Sequence, residues 1–139
     1  MSIFTHEFEL PFPPSEAMVL FTPKGQEIWV PGWNPRYIDP PRGETRTGMV
    51  FSTHDDTVWW TCILWNPEGE ARFLRLSPGV MFARVSMTCT PRGDEASWIS
   101  ISYDWKAIDE AGLAQIKTMT QEHFSHEIEK WRGLILSDS

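Results

Sequence analysis

The chain has little of the chemistry that marks many protein classes on sight. Its 139 residues include two cysteines, Cys62 and Cys89, each in its own apolar stretch, and no C-x-x-C redox or zinc pair. Two buried free thiols are expected, as in a reducing cytoplasm. No apolar run approaches the roughly 18 residues of a spanning helix. The amino terminus lacks the basic start and apolar core of a secretory signal. A cytoplasmic protein without membrane insertion is therefore expected. Positive charge is scarce as well: 12 bases face 19 acids, for a formal net charge of -7, with no dense basic run. A nucleic-acid partner needs a basic face along the phosphates, so that class is set aside. Phosphate-cradling glycine loops, dinucleotide fingerprints and nucleophile elbows are missing too, and no cofactor is expected.

What the chain does have is aromatic bulk. It contains 8 Trp and 8 Phe, and 41% of its residues are hydrophobic. That suffices for a packed core at this length without a disulfide or structural metal. Trp is large and amphipathic, so it suits a core, an interface or the wall of a ligand pocket.

Turn signals divide the chain. Ile3 to Leu10 reads as a strand, stopped by Pro11-Phe12-Pro13-Pro14. Ser15 to Phe21 and Lys24 to Val30 read as two short helices separated by Pro23 and closed by Pro31-Gly32. Trp33 to Gly43 holds three prolines and predicts a loop or irregular edge strand. The character then turns to β, with candidate strands at Met49–Thr53, Thr57–Trp65, Ala71–Leu76, Met81–Thr90 and Ala96–Trp105. Asn66-Pro67-Glu68-Gly69 fits a type I turn residue by residue. No helix fits between these strands, so they predict an antiparallel meander rather than a parallel sheet.

The last segment is periodic in another way. Leu113, Ile116, Thr120, Phe124, Ile128, Trp131 and Ile135 recur at a mean step of about 3.7 residues, close to the helical period. A continuous helix from Asp109 to Leu134, about 40 Å long, is expected. Such a helix cannot cover its own apolar stripe, so the sheet must receive it.

This order of strand, two short helices, antiparallel strands and one long C-terminal helix resembles the helix-grip fold of the START-like, or SRPBCC, superfamily. That superfamily includes polyketide cyclases, birch-pollen-allergen relatives and lipid-transfer domains. The segment Leu20-Phe21-Thr22-Pro23-Lys24-Gly25-Gln26-Glu27-Ile28-Trp29-Val30-Pro31-Gly32-Trp33-Asn34-Pro35 is similar to the first helix pair of a bacterial branch. Gly48–Thr53 and Ile101–Trp105 are similar to its strands. The resemblance implies one α+β domain over residues 1–139, with about six or seven strands curved around the helix. It also implies a cavity between sheet and helix for a small hydrophobic or aromatic ligand such as a lipid or polyketide. An enzyme on the same scaffold (cyclase, dehydratase or hydrolase) and a protein-interaction or chaperone-cofactor module are the alternatives. The superfamily shares no universal catalytic set, so no residue role carries over.

Read from strand and helix periods, the ligand-facing candidates are Phe51, Trp59, Ile63, Ile101, Tyr103, Trp105, Ile116, Thr120 and Phe124. Tyr103 adds a hydroxyl that would orient a ligand or, with His54 or His123, move a proton. Val58 to Trp65 is apolar on both faces, which leaves its inward face open and suggests a second subunit over the outer one. His123-Phe124-Ser125-His126-Glu127 lacks the spacing of a zinc helix, and a solvated helix face is preferred to a metal site. His54-Asp55-Asp56 reads as a turn. Arg75 and Arg84 interrupt apolar strands. An arginine in a cavity wall would suit a carboxylate or phosphate, but Arg72, Arg75 and Arg84 are expected on the outer face.

Overall fold

The computed structural model describes residues 2–138. Strand β1 (Ile3–Leu10) leads through the proline cluster into α1 (Pro14–Leu20) and α2 (Pro23–Trp29). Both helices begin at proline, whose fixed φ suits the first helical position and whose missing N–H costs nothing there. The Thr22 hydroxyl joins the two: it donates to Val19 O at 2.7 Å and accepts from the Gly25 N–H at 2.9 Å. Gly25 allows this corner, because a Cβ there would lie 2.0 Å from Val19 O. The carbonyls left over at the turn are taken by long side chains. Trp29 Nε1 donates to Leu20 O at 2.8 Å, Gln26 Nε2 to Phe21 O at 2.9 Å, and Trp33 Nε1 to Pro23 O at 2.9 Å.

The remaining strands are β2 (Arg36–Asp39), β3 (Val50–Thr53), β4 (Val58–Asn66), β5 (Glu70–Ser77), β6 (Met81–Arg92) and β7 (Ala96–Ala107). They form one seven-stranded antiparallel sheet in the order β1-β7-β6-β5-β4-β3-β2. The expected α+β architecture and strand number are present, and the proline-rich stretch supplies the short edge strand β2.

Side-chain alternation fixes two faces. The inner face carries Phe8 and Leu10 of β1, Ile99 and Ile101 of β7, Met87 and Cys89 of β6 and Ala71 of β5, all packed with Ile128 and Ile135. The open question about Val58–Trp65 has a mixed answer. A β-bulge shifts the register between Cys62 and Leu64, so inward parity changes within the strand. Trp60, Cys62 and Trp65 pair with the inner residues Arg75, Phe73 and Ala71, whereas Trp59 pairs with the outward-facing Leu76.

The expected continuous C-terminal helix is two helices, α3 (Glu110–Lys117) and α4 (Gln121–Asp138). The break is made by threonines. Thr118 Oγ1 donates to Gln115 O at 2.7 Å and Met119 N to Ile116 O at 3.0 Å, tightening the turn. Thr120 Oγ1 then accepts from His123 N at 3.1 Å, which starts α4. Threonine competes for backbone groups in this way and so favours helix ends over helix interiors. Leu113 and Thr120 are consequently exposed rather than part of a gripped stripe. Ile116 is buried, and Gly112 lets α3 sit against the chain, since a Cβ there would lie 2.0 Å from Val80 O.

Helix α4 spans about 27 Å at 1.5 Å per residue. It is fastened to β1, an edge strand whose backbone needs partners. Gln121 takes both sides of Thr5, accepting from its N–H at 3.2 Å and donating to its carbonyl at 2.8 Å. His6 Nε2 lies 2.6 Å from Glu129 Oε2, and Arg132 Nε donates to Glu9 O at 3.1 Å.

Candidate ligand cavity

A cavity of about 60 Å³ lies between the inner face of the sheet, the α1–α2 corner and α4. Its sheet wall is Ala71 and Phe73 of β5, Val85 and Met87 of β6, and Ile101 and Tyr103 of β7. Phe21, Gln26 and Trp131 close it from the helices, and Trp33, Phe51 and Trp60 close one end. The end wall is a stacked unit. Phe51 and Trp60 lie parallel with centroids 5.7 Å apart, and Trp33 meets both edge-on at 6.0 and 5.9 Å. Trp60 is held by its Nε1 donating to Thr53 Oγ1 at 3.1 Å.

Volume limits what this space holds as it stands. Pockets for drug-sized ligands run to about 300–1,000 Å³, and 60 Å³ is room for a few waters. Any larger guest has to displace the half-buried rings of Trp33, Trp60 or Trp131.

Polar groups are few, which makes those present informative. Gln26 spends its amide on Phe21 O. Tyr103 packs against Phe124 and Trp105, each with ring centroids 5.7 Å away, and its hydroxyl has no hydrogen-bond partner among the described residues. Burial raises its pKa above the ordinary value, with nearby Arg75 opposing, so at neutral pH the group is a protonated donor.

Arg75 is the other inward polar group, and its place corrects the expectation of an outer face. Position parity in β5 puts Ala71, Phe73 and Arg75 on one side and Arg72 on the other, and in β6 it puts Arg84 outward. The guanidinium carbon of Arg75 lies 5.7 Å from the Trp60 ring centre and 5.2 Å from that of Trp105. Burial lowers its pKa, partly offset by Tyr103, yet a guanidinium remains charged at any ordinary pH. Arg72 and Arg84 do face outward, 2.8 Å from Glu70 and 3.9 Å from Asp104.

The other sequence candidates separate by position. Phe51, Ile101 and Tyr103 line the cavity. Trp105 stands one inward position beyond Tyr103, against Arg75. Trp59 is on the outer face, its indole donating to Asp56 O at 2.9 Å, and Ile63 sits in the bulge, 56% exposed. Phe124 lies beside the cavity, between Phe4 and Tyr103. Ile116 belongs to α3 below it, and Thr120 caps α4. His54 bonds Thr53 Oγ1 at 3.0 Å and His123 lies 3.8 Å from Glu127; neither bonds Tyr103. Sequence reasoning passed over Phe21, Trp33, Phe73 and Trp131 as cavity walls. Phe73 had a readable signal in its alternation with Ala71 and Arg75, and Trp131 in its place on the helical stripe.

Neither a family model nor a curated protein matches the sequence. Solved structures do match by shape. Norcoclaurine synthase from Thalictrum flavum superposes with a TM-score of 0.66 at 14% identity, over 96% of this chain and 86% of that one. The same enzyme has been solved with dopamine and hydroxybenzaldehyde. CalU16 from Micromonospora echinospora gives 0.60 at 14% identity, over 96% and 88%. An HSP90 activator from Plasmodium falciparum gives 0.56 at 11% identity, over 73% and 71%. This protein has the helix-grip, START-like fold. At such identities the likeness is one of fold, and fold does not decide function. Among the described residues, no helix is long and apolar enough to cross a membrane.

Proposed function

We propose that the protein binds a small hydrophobic or aromatic ligand in the cavity between the sheet and α4. The observation that carries this is a wall of aromatic rings beside a tyrosine whose hydroxyl has no hydrogen-bond partner among the described residues. Tyr103 is half-buried and its hydroxyl is free to bond a guest, so one carrying a carbonyl or hydroxyl completes the site. Each 200 Å² of apolar ligand surface removed from water is worth about 5 kcal/mol before ordering costs. Part of that gain opens the Trp-lined walls. The aromatic guests named for norcoclaurine synthase fit the same pattern.

The test is a panel of aromatics, isoprenoids and lipids, read by Trp fluorescence and melting temperature. A ligand at 100 times its Kd is expected to quench the fluorescence and raise Tm by about 8 °C. If no compound in the three classes moves either signal, the reading fails.

An enzyme on the same scaffold is the alternative. There Tyr103 would donate a proton to the bound substrate, and turnover lost in Tyr103→Phe while binding persists would establish it. A protein-interaction module is the third reading; a stoichiometric partner co-purifying with a protein whose cavity takes no ligand would establish that. We also propose that the outer face pairs with a second copy. Ile63, Leu74, Leu76 and Phe82 form an apolar patch there, bordered by Glu70, Arg72, Arg84 and Asp104, the mix of signs that self-pairing uses. A purely monomeric sedimentation profile at micromolar concentration would count against it. The net charge of -7 supports no nucleic-acid partner.

A further inference from the structure

Arg75 is an inward arginine without an acid. Arg36, Arg46, Arg72 and Arg84 each have a carboxylate at 2.9, 3.4, 2.8 and 3.9 Å respectively. Among the described residues no carboxylate pairs with Arg75, nor with Arg42 and Arg92, which are exposed, nor with Arg132, which bonds Glu9 O. Among the described residues its side chain makes one hydrogen bond, a long one, 3.4 Å from Nη1 to Ser77 Oγ. A guanidinium has five N–H donors, so most of its capacity is unused.

Its position is specific. Ala71 and Phe73, the two inward residues before it on β5, line the cavity, and so does Trp60, its cross-strand neighbour. Arg75 therefore lies directly behind the Trp60–Tyr103 end of the cavity. Trp60 and Trp105 hold its flat group by their ring faces and leave its N–H edge without an anionic partner. Removing an unpaired charge from water is costly, and two cation–π contacts offset part of that cost. A carboxylate arriving from the cavity would meet the planar fork in a setting of low dielectric, where a two-bond pair is strongest.

From this geometry we infer that the guest is an aromatic or apolar carboxylate, its ring in the Phe51–Trp131 cavity and its headgroup on Arg75, with the Tyr103 hydroxyl as a further donor to the same group. This rests on the binding reading above and names its ligand class. One cation with no second basic residue beside it selects a monoanion over a phosphate dianion.

Matched probes test it: benzoate against benzamide, and naphthalene-2-carboxylate against its carboxamide, titrated calorimetrically at pH 7 into the full chain. The wild type is expected to bind each acid at least tenfold more tightly than its amide. That preference should fall below about threefold in Arg75→Gln, stay partial in Arg75→Lys, which keeps the charge and loses the fork, and be unchanged in Arg84→Gln. Equal binding of acid and amide by the wild type overturns the carboxylate inference and leaves apolar binding standing. A preference that survives in Arg75→Gln overturns the assignment to Arg75. If neither member of either pair binds, the carboxylate inference falls. The binding reading falls only if the wider apolar panel is also silent. Should Arg75→Gln fail to fold, the wild-type ratio and Arg75→Lys decide.

Discussion

Arg75 and Arg84 lie in neighbouring strands, almost opposite each other across the β5–β6 ladder, where Arg75 pairs with Ala83 and Leu74 with Arg84. Their surroundings differ completely. Arg84 points outward with a side chain 65% exposed and Asp104 beside it. Arg75 points inward between two tryptophans, with no acid paired to it among the described residues. The contrast extends to the two faces of the sheet. The outer face sets its charges in pairs, loosely at Asp104, whose Oδ1 has no hydrogen-bond partner among the described residues, and leaves scattered apolar residues in water. The inner face is packed apolar and, among the described residues, leaves one cation without a carboxylate and one hydroxyl without a hydrogen-bond partner. Both groups are half-buried and keep hydrogen-bonding capacity free beside an apolar cavity, so the inner face is where a guest is expected.

The largest effect should come from deleting equal side chains on the two faces. Ile99 is fully buried inside and Ile63 is 56% exposed outside. Ile99→Ala is expected to cost about 3 kcal/mol, a fall in Tm of roughly 10 °C, and Ile63→Ala less than about 0.5 kcal/mol. Thermal denaturation of both variants checks this. Comparable losses would break the comparison. A loss at Ile63 that grows with protein concentration would instead place a second copy over the outer face.

The two arginines should then differ in sign. Methionine keeps most of the stem of Arg75 against the rings and removes its unpaired charge, so Arg75→Met should melt at or above the wild type, within about 3 °C. Arg84→Met removes an exposed pair worth at most about 1 kcal/mol, and its Tm should hold or fall slightly. A drop of more than about 5 °C in Arg75→Met would mean that the arginine holds the fold together, and the comparison would lose its functional sense.

Much of the fold was legible because local signals agreed. Pro23 between two helical stretches, Asn66–Gly69 between two strands and the part of the Leu113–Ile135 stripe from Phe124 onward each pointed to what is found. Where the reading stopped, a single residue decided. The bulge at Ile63 reverses parity in β4, and period 2 cannot reveal a residue that breaks it. Thr118 and Thr120 end one helix and start another, yet Thr120 at helical spacing read as part of the stripe. Arg75 was placed outside because arginine usually is. Counting from the Asn66–Gly69 turn would have put it beside Ala71 and Phe73. Trp33 reaches the cavity from the proline-rich stretch, and no local pattern carries that.

The smallest effect concerns the strongest ion pair near the outer face. Arg36 meets Asp56 through two nitrogens at 2.9 and 3.0 Å, and the Ser52 hydroxyl donates to the same carboxylate at 2.5 Å. Together they hold the turn in which His54, Asp55 and Asp56 all have positive φ, at 55°, 54° and 65°. The bonds from Arg36 and Ser52 lower the Asp56 pKa below its ordinary value. A carboxyl depressed in the folded state adds stability above the unfolded value of about 4 and loses it as pH falls through the folded one. Asp56→Asn keeps the shape and the tolerance for positive φ but removes the charge. Its Tm should therefore sit slightly below the wild type at pH 7, with a gap that narrows in high salt and closes as the pH drops below about 4. A gap that persists at pH 2.5 would assign the effect to the turn's geometry rather than to the charge, and the outer face would then owe nothing to its ion pairs.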